Sequence, residues 1–429
     1  MKIVRTSGNV AEKLLQQLEQ RGAVTTARVE PVVRAIMADV QKNGDRALRK
    51  YARKFDALKQ QPFLVSRAEM KAAWKATAPE LQTAMLIAAK NIRDFAEAQK
   101  PAEWTRSPIP GVKTGQIVRP LESVGCYVPG GRYPLPSTLL MTTIPASVAG
   151  VRRIVVCSPK PARETMAAAY LVSQTTAGVI EFYRIGGAQA IAALAYGTET
   201  IQPVHKIVGP GNLYVTAAKV IASAVCGIDM PAGPTEIIVT SESGSAAGIA
   251  ADLVAQAEHD PETLAVLVTS KPKLAAAVAA EVKQRVKTNP LAKISIAARG
   301  VIFVTKSVAE ARAITNRLAP EHLTVDSESD LAWVKNAGSV FVGDYAPQSM
   351  GDYISGPNHV LPTGRVGRVR GGLSVMDFVK IITVQHYTAA GLARLGPHAI
   401  ALAEAEGLVA HAESIRVRMK KPAKKGASR

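Results

Sequence analysis

The sequence predicts an α/β protein with two Rossmann-like parallel-sheet domains, a helical N-terminal segment and a small C-terminal helical extension. Three observations predict it. The first hundred or so residues carry apolar side chains at helical spacing; from Arg152 short β-rich runs alternate with helical stretches; and that alternation occurs in two successive series. Strands that alternate with helices imply a parallel sheet covered on both faces.

Taken in chain order, Pro31 to Tyr51 and Pro79 to Lys100 are the predicted N-terminal helices, each opening on a proline. The first α/β series places strands at Arg153–Cys157, Ile180–Tyr183 and Lys206–Val208, with helices running through Tyr170, after Gly187 and from Leu213 to Val225. The second places strands at Glu236–Val239, Leu264–Val268, Val301–Val304 and Ser339–Val342. Between its first two strands, Ala246 to His259 reads as an Ala-rich helix with Ile249, Leu253 and Val254 on one stripe, stopped by Asp260-Pro261. Neither series holds a Gly-x-Gly-x-x-Gly fingerprint after a strand. Gly186-Gly187 and Gly209-Pro-Gly211 stand there instead, where the chain turns tightly and a ligand is approached backbone-first.

Composition excludes several classes. A chain of 429 residues, 47% hydrophobic, has ample core for two or more domains. Three scattered cysteines, Cys126, Cys157 and Cys226, make no disulfide framework and fit a reducing cytoplasm. Cys126 precedes the Tyr127-Val-Pro-Gly-Gly loop and reads as an apolar packing residue before it reads as a nucleophile. The start of the chain has no hydrophobic signal core, and no apolar run approaches the ~20 residues that span a bilayer, so no membrane partner is expected. The net charge of +19 favours anionic ligands, and Arg416 to Arg429 carries seven cations and no acid, the composition of a disordered tail. With 5% aromatics and no nucleic-acid motif, that charge is not read as a nucleic-acid surface.

The chemistry is concentrated late in the chain. Leu318-Ala-Pro-Glu-His-Leu323 and Met350 to Pro362 read as Gly/Pro-bounded loops holding Glu321, His322, Asp352 and His359, four ionisable groups in a chain with seven histidines. A glutamate beside a histidine offers two proton acceptors of different basicity, which suits a reaction that removes protons in more than one step. Gln256 and His259, three apart at a helix end, project to one side and can grip one ion or one ligand. With Asp352 and the distant His411 they make a set that zinc accepts, although the chain has neither His-Glu-x-x-His nor Cys-x-x-Cys.

These blocks, with Tyr127 to Arg132, Gly186 to Ala190, Val208 to Asn212, Ala232 to Glu236 and Glu406 to His411, run in the order found in the histidinol dehydrogenase family, which the chain resembles over nearly its whole length. The resemblance implies a zinc- and NAD-dependent, cytoplasmic enzyme that oxidises L-histidinol through L-histidinal to L-histidine. It implies an N-terminal arm (1–25), a main domain (26–126 and 235–375), an incomplete Rossmann-like NAD domain (127–234) and a dimer-completing C-terminal segment (376–429), whose basic composition adds a disordered tail from about 416. Tyr127, Gln189 and Asn212 fall at its cofactor positions. Gln256, His259, Asp352 and His411 fall at its zinc positions, one ion per subunit. Glu321 and His322 are its proton acceptors, and Thr235, His359 and Glu406 join the ligands and His322 in contacting substrate. It also implies a homodimer in which Glu406 and His411 complete the neighbouring subunit's site.

Two stretches depart from the family pattern: the proline-rich Arg132 to Thr138 and the basic Gly364 to Gly372. They leave open a paralogue that oxidises another primary alcohol, such as a sulfonated diol, whose negative charge the added cations would suit. A zinc-held binding protein without turnover is the reading from another class. It would have no use for a proton-transfer pair.

Overall fold

The computed structural model describes residues 1–21, 28–130 and 133–420. The chain divides into two units, one formed by Met1–Gln99 with Leu121–Phe378 and the other by Lys100–Pro120 with the residues from Val379 onward.

In the first unit, β-branched runs assemble two parallel sheets. The larger has six strands in the order Lys2–Arg5, Gly300–Val304, Leu264–Thr269, Glu236–Thr240, His322–Val325 and Ser339–Val342. Alternate side chains of these strands enter different cores. Ile237, Val239 and Leu267 pack with the helices Ala246–Ala257 and Pro272–Arg285, while Ile238, Val266 and Phe303 pack with Asn9–Glu19 and Val308–Leu318. Each such side chain, fully buried, contributes roughly 1.5–3 kcal/mol. The smaller sheet runs Val179–Tyr183, Arg153–Cys157, Ser123–Tyr127, Lys206–Val208 and Gly227–Ile228, also all parallel. One face meets Glu30–Phe55, Gly187–Tyr196 and Leu213–Ala222; the other meets Pro136–Ala149 and Arg163–Thr175.

The predicted α/β class, its parallel sheets and both N-terminal helices are therefore present, the helices as Glu30–Phe55 and Pro79–Ala98. Four strands of this unit were not expected. Lys2–Arg5 joins the larger sheet, Ser123–Tyr127 lies at the centre of the smaller and Gly227–Ile228 at its edge, and His322–Val325 stands inside the larger, where a loop was predicted. Cys126 and Cys157 are buried in strands of the smaller sheet. Burial pushes the Cys126 thiol up to about 12, which fits packing and removes it as a nucleophile.

The second unit holds an antiparallel sheet in the order Val379–Tyr387, Val112–Pro120, Trp104–Ile109, followed by helices Ala389–Ala405 and Val409–Met419. Residues 100–120 thus group with the C-terminal segment, whereas the sequence-based division put them with the main domain. The chain is helical through Met419, not irregular from 416. Arg416 pairs with Glu404 across the two helices, and Ile415 and Met419 close over Gly396. The remainder of the basic tail, residues 421–429, lies outside the described residues, as do 22–25 of the expected arm and Gly131-Arg132 of the cofactor loop. Among the described residues no helix is long and apolar enough to cross a membrane.

Candidate active site

The turn that delivers Glu321 and His322 follows from the end of one helix. Val308–Leu318 begins on Ser307, whose side chain caps the Glu310 amide at 3.2 Å, and ends on Ala319 in the left-handed region (φ 47°). A left-handed residue without glycine costs about 1 kcal/mol, and Pro320 directly after it forbids the helix from continuing. The Pro320 and Glu321 carbonyls accept the Gly338 and Ser339 amides, both at 2.9 Å. Glu321 is thereby presented at the lip of the sheet, and His322 becomes the first residue of a strand paired with Ile237 and Ser339.

Both residues are buried, at 6% and 3% exposure. Glu321 Oε2 accepts the Thr235 hydroxyl at 2.6 Å and the Glu236 amide at 2.7 Å. His322 Nδ1 lies 3.0 Å from the Glu236 carbonyl. A carbonyl only accepts, so Nδ1 carries the hydrogen and Nε2 is left as the nitrogen that exchanges a proton. Nε2 stands 3.8 Å from Asp352 Oδ1, and Phe341 stacks on the ring with centroids 6.0 Å apart. Burial works to lower the imidazole's pKa. The carboxylates of Glu321, with Oε2 at 3.5 Å from Nδ1, and of Asp352 outweigh it and hold the value up to about 10.

Asp352 belongs to the short helix Gln348–Tyr353, not to a loop. Its burial acts to raise its pKa, but the neighbouring His322, His359 and His259 hold it below the usual carboxylate value. Gln348, one turn earlier, donates its amide to Asp352 Oδ2 at 2.7 Å. His359 bridges the Asp352 carbonyl (Nδ1, 2.7 Å) and the Thr138 hydroxyl (Nε2, 3.2 Å), and burial lowers its pKa. Thr138 closes the proline-rich stretch that departs from the family pattern, so that stretch does reach the site.

Helix Ala246–Ala257 ends before His259, with Glu258 as its cap, so Gln256 and His259 do not share a last turn as predicted. They still meet: His259 Nδ1 is 3.2 Å from the Gln256 carbonyl. The Gln256 amide donates to the Thr235 hydroxyl, while its Oε1, in a residue 1% exposed, has no hydrogen-bond partner among the described residues. An orphaned buried oxygen is costly unless a cation or donor takes it. With the His259 ring and the Asp352 carboxylate, its donor chemistry fits zinc. Among the described residues no three His, Cys, Asp or Glu side chains gather as a metal cluster by themselves.

At the smaller sheet, the Tyr127 hydroxyl accepts the Gly187 amide at 3.1 Å, where φ is 63°. Gln189 Nε2 and the Gly186 amide both donate to Asp56 Oδ2 at 3.1 Å. Asn212 caps helix Leu213–Ala222, accepting the Tyr214 and Val215 amides at 3.0 and 3.1 Å. Gly209 (φ 113°) is required where it stands, because a Cβ would strike the Tyr127 carbonyl. Its N–H and C=O are held by the buried Asp229 and Lys219 at 2.8 and 2.9 Å. In the second unit, Glu406 caps the end of helix Ala389–Ala405 and His411 lies in the first turn of Val409–Met419, both exposed there.

The first unit therefore gathers Thr235, Gln256, His259, Glu321, His322, Asp352 and His359. Sequence reasoning missed Thr138, Gln348 and Phe341 in this cluster and Asp56 at Gln189. The signal for Gln348 was its spacing of four from Asp352. The basic stretch 364–372 is also less available for an anionic ligand than its composition implied: Arg365 pairs with Glu19 at 3.3 Å and Arg370 with Asp377 at 2.7 Å.

Two parallel sheets with glycine turns at strand ends, one of them carrying a buried Glu–His pair, make an architecture found in α/β dehydrogenases. The model of the family described as histidinol dehydrogenase matches residues 19–419. The chain is 46% identical over 413 residues to the histidinol dehydrogenase of Methanothermobacter thermautotrophicus, covering 95% of this chain and 97% of that one. It is 45% identical over 428 residues to that of Geobacillus kaustophilus, covering 98% and 100%. The crystal structure of histidinol dehydrogenase from Elizabethkingia anophelis superimposes with a TM-score of 0.91 at 35% identity, covering 98% of each chain. The chain belongs to the histidinol dehydrogenase family. The expectation of an oxidoreductase of histidine biosynthesis stands, and the alternative of a paralogue for another alcohol gains no support from these relatives.

Proposed function

We propose that the chain oxidises L-histidinol to L-histidine in two NAD-dependent steps through L-histidinal, as a cytoplasmic homodimer with one zinc ion per subunit. The observation that carries the reading is the buried Glu321–His322 pair, both members of which hold the backbone of Glu236 beside Asp352. Gln256, His259, Asp352 and His411 are the residues that would hold zinc, whose role is to anchor the substrate's nitrogens and fix its alcohol carbon in place. Tyr127, Gln189 and Asn212 are the residues that would hold NAD, which would supply the acceptor for each hydride.

In the first oxidation His322 Nε2 takes the hydroxyl proton while hydride leaves the alcohol carbon. The imidazole must be neutral at that moment. Asp352 would be engaged as a ligand once zinc is held, and one of the two charges that keep His322 protonated would then be taken up. In the second, Glu321 takes a proton from a water that adds to the aldehyde, and we assign this to Oε1, since Oε2 is bonded to Thr235 and Glu236. His322 returns its first proton to the aldehyde oxygen as that water adds, and then accepts the proton of the hydrate as the second hydride leaves. Glu406 suits the substrate's ammonium, and Thr235 and His359 suit its polar edges.

Assaying NADH formation with L-histidinol beside sulfopropanediol tests the substrate. Turnover confined to L-histidinol supports the reading, and preference for the sulfonated diol overturns it. A Glu321→Gln chain separates the two steps. It is expected to keep the first oxidation within about threefold and to slow histidine formation from histidinal by about 100-fold or more. Equal losses in the two half-reactions would contradict this division of labour.

A further inference from the structure

We propose that Arg21 is a positioning residue for the Glu321–His322 pair, acting through Glu236; this rests on the reading of that pair given above. Arg21 follows the cap of helix Asn9–Glu19, far from the site in sequence, yet four of the five N–H donors of its guanidinium are engaged beside it. Nε and Nη2 form a fork onto the two Glu236 oxygens, both at 2.7 Å. Nη2 also donates to the Leu318 carbonyl and Nη1 to the Leu18 carbonyl, each at 2.7 Å. The two side chains are 8% and 4% exposed. Glu236 Oε1 accepts the Gly364 amide at 2.8 Å as well.

The consequence lies in what Glu236 does with its backbone. Its N–H fixes Glu321 Oε2 and its C=O fixes the His322 Nδ1 hydrogen, so one residue sets both the orientation of the carboxylate and the tautomer of the ring. Arg21 holds the side chain of that residue. It also holds Leu318, the last residue of the helix before the left-handed Ala319 and Pro320 that lead into Glu321. Both backbone segments that place the pair are therefore tied to one planar cation. A buried ion pair is a weak source of stability, because desolvating the two charges offsets their attraction. The bidentate fork fixes direction as well as distance, which a lysine or an apolar pair would not reproduce.

The test is the double change Arg21→Gln with Glu236→Gln, which leaves no buried charge unpaired. In the zinc-loaded enzyme kcat with L-histidinol is expected to fall about tenfold or more while KM stays within about twofold. The protected Nδ1–H resonance of His322, read in histidine-labelled protein, is expected to be lost. In a His322→Asn background the same double change should alter the rate of the first oxidation, which does not use Glu321, by less than about twofold, because there is no ring left to place. A folded double variant with parental kcat overturns the proposal. So does an equal fall in the His322→Asn background, which would make Arg21 a general structural residue. Should the double variant not fold, Arg21→Lys keeps the charge and removes the fork: a partial fall in kcat at unchanged KM supports the proposal, and parental kcat overturns it. A fully active His322→Asn chain would instead overturn the reading of the pair, and this proposal with it.

Discussion

Replacing His322 by asparagine is expected to lower kcat for both oxidations by about 10²–10⁴-fold while leaving KM for L-histidinol within a few fold. Asparagine keeps a donor for the Glu236 carbonyl but removes Nε2, the atom assigned to take the proton in each hydride step. Steady-state kinetics with L-histidinol and with L-histidinal check this. The two substrates should lose rate together, unlike the Glu321→Gln chain, in which they should part. A histidine that merely filled the sheet would affect stability and leave the rate per folded molecule nearly unchanged.

The second large effect concerns His259 and His411. Each change to asparagine alone is expected to remove most activity and to raise the zinc concentration needed for what remains, with NAD binding nearly unaltered. If His411 is supplied across a dimer, mixing and exchanging the two inactive chains should restore about a quarter of the parental activity, since half of randomly exchanged dimers are mixed and one site in each carries neither lesion. Turnover of the mixture, measured after exchange has been shown by mass, reads this out. Sites built within single chains would give no recovery.

The strands that were legible in the sequence are those buried on both faces. Leu264–Thr269 and Gly300–Val304 are nearly continuous apolar runs, and their pattern states their place in a parallel sheet. His322–Val325 was not legible because its first residue is polar and a proline stands two positions earlier; its strand character comes from its two neighbours in the sheet. Val379–Tyr387 is exposed along almost its whole length, so it carries no burial pattern to read, and its partner Val112–Pro120 lies more than 250 residues earlier. Within the site, the Glu321–His322 pair was marked by residue type alone. Arg21 was not, because nothing local distinguishes a buried fork from an ordinary surface side chain; Gln348 carried only its spacing of four from Asp352.

Counting NADH formed per L-histidinol consumed, in protein stripped by a chelator and then reloaded with zinc, reaches the proposed two-step oxidation most directly. The predicted result is two NADH for each L-histidinol, with L-histidine as product and no turnover before zinc is restored. One NADH with free histidinal, or a rate indifferent to zinc, would contradict it.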